Sequence, residues 1–125
     1  VSMIERSTKA QGRSGEDLAQ DYLRKQGYKI IERNYRCRYG EIDLIARDGE
    51  TLVFVEVKSR RSTAFGTPEE AVGAAKQKKI SIVALWYLAE RNIHDTAARF
   101  DVVSILLTGR SRKIELIRDA FDLPR

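Results

Sequence analysis

Asp43, Glu56 and Lys58 are the residues of this 125-residue chain whose types and spacing best suit catalysis. Glu56 and Lys58 end an otherwise apolar run, Leu-Val-Phe-Val-Glu-Val over residues 52–57, which is typical of a strand buried on both faces. A carboxylate in such a strand costs free energy unless a partner compensates its charge. Hard divalent cations such as Mg²⁺ bind carboxylate oxygens, so the pattern predicts a metal site near the end of this strand.

The dipeptide Asp48-Gly49 predicts a β-hairpin that brings the acids together. It favours a two-residue type I′ turn, which pairs Arg47 with Glu50. Counting back along the ladder predicts the pairs Ile45 with Leu52, Asp43 with Phe54, and Glu41 with Glu56. The charged side chains that then share one face are Glu41, Asp43, Glu56 and Lys58. Three carboxylates at this spacing repel one another, and a divalent cation would turn the repulsion into binding.

These residues also have an ordinary structural explanation. Charged residues are common at strand ends, and Glu56 with Lys58 would fit the solvated face of an edge strand. A loop one residue longer would also place Glu56 on the opposite face from Asp43. The run that contains Glu56 is too apolar for an edge strand, and this favours the metal site.

The remaining pattern predicts a single α/β domain over residues 12–125, preceded by an N-terminal extension over 1–11. Its other predicted elements are a helix over about 15–26 capped by Ser14 and ended by Gly27, a strand from Tyr28 to Tyr35, a helix from Thr67 to about Arg91, a strand from Arg99 to Leu107 and a hairpin into Lys113 to Arg118. The residues expected to face the core from the second helix are Ala71, Ala75, Ile82, Leu85 and Leu88.

Four segments occur in a specific order along the chain. They are Gly12–Ala19 (GRSGEDLA), Gly27–Arg36 (GYKIIERNYR), Gly40–Ala46 (GEIDLIA) and Phe54–Arg60 (FVEVKSR). Together they resemble the YraN-like family of uncharacterised bacterial proteins, which is similar to the archaeal Holliday-junction resolvases of the PD-(D/E)XK nuclease superfamily. The resemblance covers about residues 12–105 and implies a restriction-endonuclease-like αβββαβ core, with a central mixed sheet flanked by helices. Ile42 stands where the superfamily name has proline.

The same resemblance implies roles for individual residues. It implies that Asp43 and Glu56 hold Mg²⁺ or Mn²⁺, that Lys58 positions or activates the attacking water, and that Glu16 completes the acidic cluster. Without it, Glu16 is explained by the preference of acids for a helix N-terminus. The predicted hairpin adds Glu41 as a candidate ligand. The implied activity is metal-dependent phosphodiester hydrolysis of branched or otherwise structured DNA.

The charge of the chain favours an anionic partner. Lys and Arg number 23 against 18 Asp and Glu, which gives a net charge of +5 and a pI of about 9.5. The basic residues expected to contact phosphates are Arg36, Arg38, Arg60, Arg61, Lys76 and Lys79. Charge does not distinguish DNA from RNA, and a homodimer is left open. Two alternatives to a nuclease also stay open: a nucleic-acid-binding module of the same fold that cuts nothing, and a protein-interaction domain that uses its basic face.

Other residues mainly exclude classes of function. Cys37 is the single cysteine, so neither an internal disulfide nor a Cys/His zinc site is expected, and His94 is the single histidine, which argues against a His-based mechanism. Asp101 has two candidate roles, a further acid of the site or the salt-bridge partner of Arg99, and the salt bridge is favoured. Trp86 and the five tyrosines are dispersed and are expected in the core and at its rim. No apolar stretch reaches the roughly 18 residues of a membrane span, and the chain is expected to be cytoplasmic without a membrane partner.

Overall fold

The computed structural model describes residues 14–61 and 72–122, and this part of the chain forms one mixed sheet with two helices. The elements are α1 (Gly15–Lys25), β1 (Lys29–Cys37), β2 (Gly40–Asp48), β3 (Thr51–Arg60), α2 (Ala74–Glu90), β4 (Ala98–Thr108) and β5 (Ser111–Phe121). The five strands lie in the order β1-β2-β3-β4-β5, with β3 and β4 parallel and the other neighbours antiparallel. This confirms the predicted α/β core. The predicted extension over 1–11 and the predicted helix start at Thr67 lie outside the described residues.

Helix α1 begins and ends where the sequence predicts. The Ser14 Oγ accepts the Asp17 N–H at 3.0 Å, which satisfies one of the unpaired N–H groups of the first turn. Gln26 caps the other end, directly before Gly27. Neither described helix is long and apolar enough to cross a membrane.

The sheet separates two apolar cores, each covered by one helix. Under α1 lie the strand residues Leu44, Ala46, Val53, Val55, Val103 and Ile105. Under α2 lie Ile42, Ile45, Leu52, Phe54, Phe100 and Val102. Strand β3 contributes alternately to both cores, as expected for a strand buried on both faces.

Strand β2 departs from strict alternation at Asp43. Ile42 and Ile45 both face the core under α2, although they are three positions apart, whereas Leu44 faces the core under α1. On the neighbouring strand β1, the residue opposite Asp43 is Asn34, which has a φ of 52° and lies between two paired positions. An irregularity of this kind bends a strand locally and interrupts its pairing. The backbone at Asp43 is therefore turned away from the regular ladder.

The buried face of α2 differs from the prediction. Its buried residues are Ile80, Ser81, Val83, Ala84 and Tyr87. Ile82 and Leu85, predicted to be buried, are 41% and 45% exposed, and Ala75 is exposed as well. Leu88 packs against the core as predicted, and Ala71 lies outside the described residues. The prediction was wrong because apolar residues surround the second half of this helix, so their spacing does not define a single stripe.

Asp101 and Arg99 form the predicted salt bridge within a buried network. The Arg99 Nε donates to Asp101 Oδ1 at 3.0 Å, and its Nη2 donates to Asp48 at 2.7 Å. The Tyr28 hydroxyl donates to Asp101 Oδ2 at 2.7 Å, and burial together with this bond raises the pKa of Tyr28 to about 12. Asp101 also accepts the Asp119 N–H, and it is 0% exposed. The network links β4 to the β2–β3 turn and to the segment after α1.

We expect Asp101→Asn to lower the free energy of unfolding by about 3 kcal/mol, because it leaves the partly buried Arg99 without its main counter-charge. Urea denaturation monitored by circular dichroism measures this change. The matched control is Asp95→Asn at an exposed position, which should change stability little. Equal stability of the two variants would show that the network does not hold the fold together.

Candidate functional site

The β2–β3 hairpin has a register different from the predicted one. Asp48 pairs with Thr51, so Gly49 and Glu50 form the turn, and the predicted pairing of Arg47 with Glu50 is wrong. The other observed pairs are Arg47 with Leu52, Ala46 with Val53, Ile45 with Phe54 and Leu44 with Val55. Gly49 has a φ of 63°, and a positive φ at the first central position is typical of a type II′ turn. The salt bridge from Arg99 holds Asp48 in the strand, which explains why the turn begins one residue later.

The new register brings Asp43 to Glu56. The regular ladder ends at the pair Leu44–Val55, and continuing it would set Asp43 opposite Glu56 instead of Phe54. The Val57 N–H donates to Asp43 Oδ2 at 2.8 Å, so the carboxylate takes the place of a strand carbonyl. A hydrogen bond to an ionised acceptor is stronger than a neutral one, and this bond fixes the Asp43 side chain beside β3.

Glu56 is a buried carboxyl with a strongly perturbed titration. It is 8% exposed, and its pKa is raised to about 7, first by burial and then by the charge and hydrogen bonding of Asp43. The positive charges of Lys76 and Lys58 act in the opposite direction and only partly compensate. Asp43 and Glu56 thus form a pair of carboxyls that resists double ionisation.

An open concavity of about 340 Å³ lies beside this pair. Its lining residues are Ser14, Gly15 and Glu16 at the start of α1, Asp43 on β2, and Glu56, Val57 and Ser59 on β3. A Cβ atom on Gly15 would collide with the Ser59 Oγ, so glycine lets the helix start approach β3 this closely. The positive end of the α1 dipole therefore lies beside the acids, where it favours bound anions as well as carboxylates.

Glu16 and Glu41 occupy different positions relative to the pair. Glu16 lines the same concavity, and its carboxylate is 3.7 Å from Arg33. Glu41 lies beyond the end of the ladder and accepts a hydrogen bond from Arg36 at 2.9 Å in an exposed position. Across residues 14–61 and 72–122, no group of three or more His, Cys, Asp or Glu side chains is close enough to hold a metal ion as they stand. The structure thus brings together two of the four predicted ligands, with a third at the rim.

Two ammonium groups act on Glu56. The Lys76 Nζ is 3.6 Å from Glu56 Oε1, although the sequence suggested only a phosphate contact for this lysine. Lys58 is partly buried on β3 next to Ser104 of β4, and it affects the pKa of Glu56 less than Lys76 does. No sequence pattern pointed to Lys76 as a neighbour of Glu56, because the contact depends on where the chain between β3 and α2 returns to the sheet.

The other predicted basic residues lie on β1, on β3, on α2 and in the turns beside these strands. Arg60 and Arg61 lie at the end of β3, Lys79 is exposed on α2, and Arg36 and Arg38 lie at the β1–β2 turn. The Arg38 guanidinium stands 5.5 Å from the centroid of the Tyr39 ring. Because β2 is antiparallel to both β1 and β3, the arginines of the β1–β2 turn and of the end of β3 lie at the same end of the sheet as Glu56, and we call these arginines the basic border.

Comparisons with known proteins agree on one family. A family model described as "Uncharacterised protein family UPF0102" matches residues 15–105, a range that includes every acid and lysine of the site. A "UPF0102 protein" of Syntrophus aciditrophicus is 55% identical over 112 residues, which are 90% of this chain and 88% of that protein. One of Geobacter metallireducens is 53% identical over 115 residues, which are 92% and 94% of the two chains. One of Rhodococcus opacus is 52% identical over 113 residues, which are 90% and 96%.

The raised pKa of Glu56 predicts a specific pH dependence of stability. A carboxyl whose pKa is higher in the folded than in the unfolded state binds more protons when folded, so stability falls as pH rises between the two values. For Glu56 this window runs from 4.5 to about 7. In metal-free buffer with a chelator, Glu56→Gln should therefore gain at most about 3 kcal/mol relative to wild type across the window.

Chemical denaturation across this pH range measures the difference. Asp43→Asn is the matched variant, because it removes the charge that raises the pKa of Glu56 and should reduce the loss of stability without abolishing it. Parallel pH profiles of wild type and Glu56→Gln would contradict the perturbed titration.

Proposed function

Because the chain belongs to the uncharacterised protein family UPF0102, we propose its function from the geometry of the site: metal-dependent hydrolysis of phosphodiester bonds in DNA. The observation that carries the proposal is the Asp43–Glu56 pair beside an open concavity. The similarity to Holliday-junction resolvases described above supports branched or otherwise structured DNA as the substrate.

The donor set suits a hard divalent cation. Asp43 and Glu56 offer carboxylate oxygens, and their mutual repulsion is what a Mg²⁺ or Mn²⁺ ion between them would relieve. Glu16, at the rim of the same concavity, is available as a further carboxylate for the ion or for its waters. When bound, such an ion supplies Lewis acidity to the scissile phosphate and to the attacking water.

The protein supplies positioning and charge. Asp43 is fixed by the Val57 N–H, so its carboxylate is oriented before any ligand binds. Lys58 follows Glu56 by two residues on β3 and projects from the same face, where its ammonium would hold the attacking water and offset charge that develops on the phosphate. The start of α1 and the basic border would bind neighbouring phosphates.

A second candidate is a nucleic-acid-binding module of the same fold without catalysis. It is favoured by the arginine contacts of Glu16 and Glu41, since acids engaged with arginines contribute less to a metal site. Metal-dependent cleavage separates this candidate from the first.

Mg²⁺ or Mn²⁺ should raise the melting temperature of the wild type, because a ligand that binds only the folded state stabilises that state. Asp43→Asn should lose most of this increase and should melt higher than wild type without metal, since one of two repelling charges is gone. Glu41→Gln is the matched control on the same strand and should keep the response. Differential scanning fluorimetry with each metal measures the shifts. An identical response of wild type and Asp43→Asn would place the metal elsewhere.

Lys58→Met should separate catalysis from binding. The variant keeps a similar length and an apolar stem, so metal stabilisation and most of the DNA affinity should remain, whereas cleavage should fall by about two orders of magnitude. The assay is single-turnover cutting of a branched DNA with Mg²⁺. Lys113→Met, an exposed position on β5, is the control for loss of one positive charge. Equal rates for wild type and Lys58→Met would reject the role of Lys58, and no cutting of linear, flap or junction DNA by the wild type would favour the binding module.

A further inference from the structure

An exposed aromatic pair lies where the β1–β2 turn meets helix α2. The rings of Tyr39 and Trp86 have centroids 5.3 Å apart and are inclined at 64°. Tyr39 is 44% exposed and Trp86 is 38% exposed, so both rings lie at the rim and not in the core. The turn is held against α2 at Gly40, where an added Cβ would lie 3.3 Å from Val83. The packing of the β1–β2 turn against α2 therefore holds the two rings together at the surface.

Two more apolar side chains extend the pair along α2. Ile82 and Leu85 are 41% and 45% exposed. Ile82 lies three residues before Leu85 and four before Trp86, so its side chain is next to both on the helix surface. We call Tyr39, Ile82, Leu85 and Trp86 the aromatic face. Clustered exposed apolar residues of this kind usually mark a binding surface.

The charged residues around the aromatic face favour an anionic ligand. Arg38 stands over the Tyr39 ring, Arg36 is exposed on β1, and Lys78 and Lys79 are exposed one turn before Ile82. The acids near these basic residues in the described part of the chain are compensated: Glu41 is paired with Arg36, and Glu90, one turn after Trp86, is 3.9 Å from Arg91. A second copy of the chain docked through the same face would bring these positive charges together, which disfavours association. Aromatic rings within a basic border are instead typical of surfaces that stack nucleic-acid bases and contact phosphates.

The aromatic face also connects to the proposed active site. A concavity of about 490 Å³, lined by Arg36, Cys37, Gly40 and Glu41, lies at the base of the same turn and is large enough for a nucleotide. Asp43 is three residues beyond Gly40 on β2, a separation of about 10 Å along a strand. A strand of nucleic acid that lies on the aromatic face would therefore reach the Asp43–Glu56 pair within a few nucleotides.

We propose that the aromatic face binds unpaired bases of a nucleic acid, with a base stacked on Trp86 beside Tyr39 and its phosphates at Arg36 and Arg38. The binding surface does not depend on catalysis. The consequence for substrate choice rests on the proposed nuclease function: cleavage would occur next to a single-stranded segment, and a fully paired duplex would lack the stacking contact.

Trp86 is the single tryptophan of the chain, so its fluorescence reports directly on the proposed contact. The probe is a short oligothymidylate, compared with a duplex of the same length, in chelator so that no metal-dependent cutting occurs. We expect the single strand to quench Trp86 on binding. Tyr39→Ala and Trp86→Ala should weaken single-strand binding by about tenfold, measured by anisotropy of labelled oligonucleotides, and should change duplex binding by less than about twofold.

One further variant keeps the test decisive. Trp86→Phe retains a ring and should keep most of the single-strand affinity, which separates loss of stacking from loss of folding. Binding is measured in chelator and so does not need a bound metal ion, which means that a failed metal site and a failed aromatic face give different results. The proposal is overturned if the single strand leaves Trp86 fluorescence unchanged or binds the alanine variants as tightly as wild type. It is also overturned if the face instead mediates self-association that Trp86→Ala abolishes, measured by sedimentation.

Discussion

The hydrogen bond from the Val57 N–H to the Asp43 carboxylate is the interaction on which the site depends. It lies where the β2–β3 ladder ends and where the alternation of β2 slips, opposite the left-handed Asn34 of β1. Without a side chain to accept that N–H, the strand would either continue its pairing and close the concavity or leave a partly buried donor unsatisfied. The Asp43 carboxylate thus ends the β2–β3 ladder and also lines the concavity next to the end of that ladder.

The sheet topology explains why positive groups collect at this point. Strand β3 is parallel to β4, and α2 makes the connection, so the start of α2 returns close to the end of β3 and places Lys76 at Glu56. The start of α1 reaches the same edge because Gly15 packs on Ser59. Two helix starts and two lysines therefore border two acids, an arrangement that can accommodate both a cation and the phosphates it binds.

The sequence was sufficient to predict the helices and strands and the proximity of Asp43 to Glu56, but insufficient for the contacts between distant segments. The hairpin could be predicted from Asp48-Gly49, whereas its register depended on a salt bridge from Arg99, fifty-one positions later. Moving the turn by one residue on both strands left Ile45, Leu52 and Phe54 on one common face, as predicted, and set Asp43 opposite Glu56. The irregularity at Asp43 nevertheless moved Ile42 to the face opposite the predicted one. The buried side of helix α2 could not be predicted in this way, because apolar residues surround its second half and packing against the sheet, including Gly40 and Phe54, selects the side that is buried. The contact between the Tyr39 and Trp86 rings therefore depends on which side of α2 is buried.

Asp101 and Glu56 are buried carboxyls of the same sheet that differ in how well the protein compensates their charge. Asp101 is fully enclosed and receives hydrogen bonds from Arg99, from the Tyr28 hydroxyl and from the Asp119 N–H. Glu56 is almost as buried, yet its nearest charged neighbours are a second carboxylate and an ammonium 3.6 Å away that is half exposed. Because the fold compensates the charge of Asp101 completely, it could also have compensated that of Glu56. A second carboxylate beside Glu56 lowers the stability of the fold, and selection for stability alone would have replaced it. The poorly compensated Glu56 therefore supports the proposed metal site, because the requirements of the core alone do not account for it.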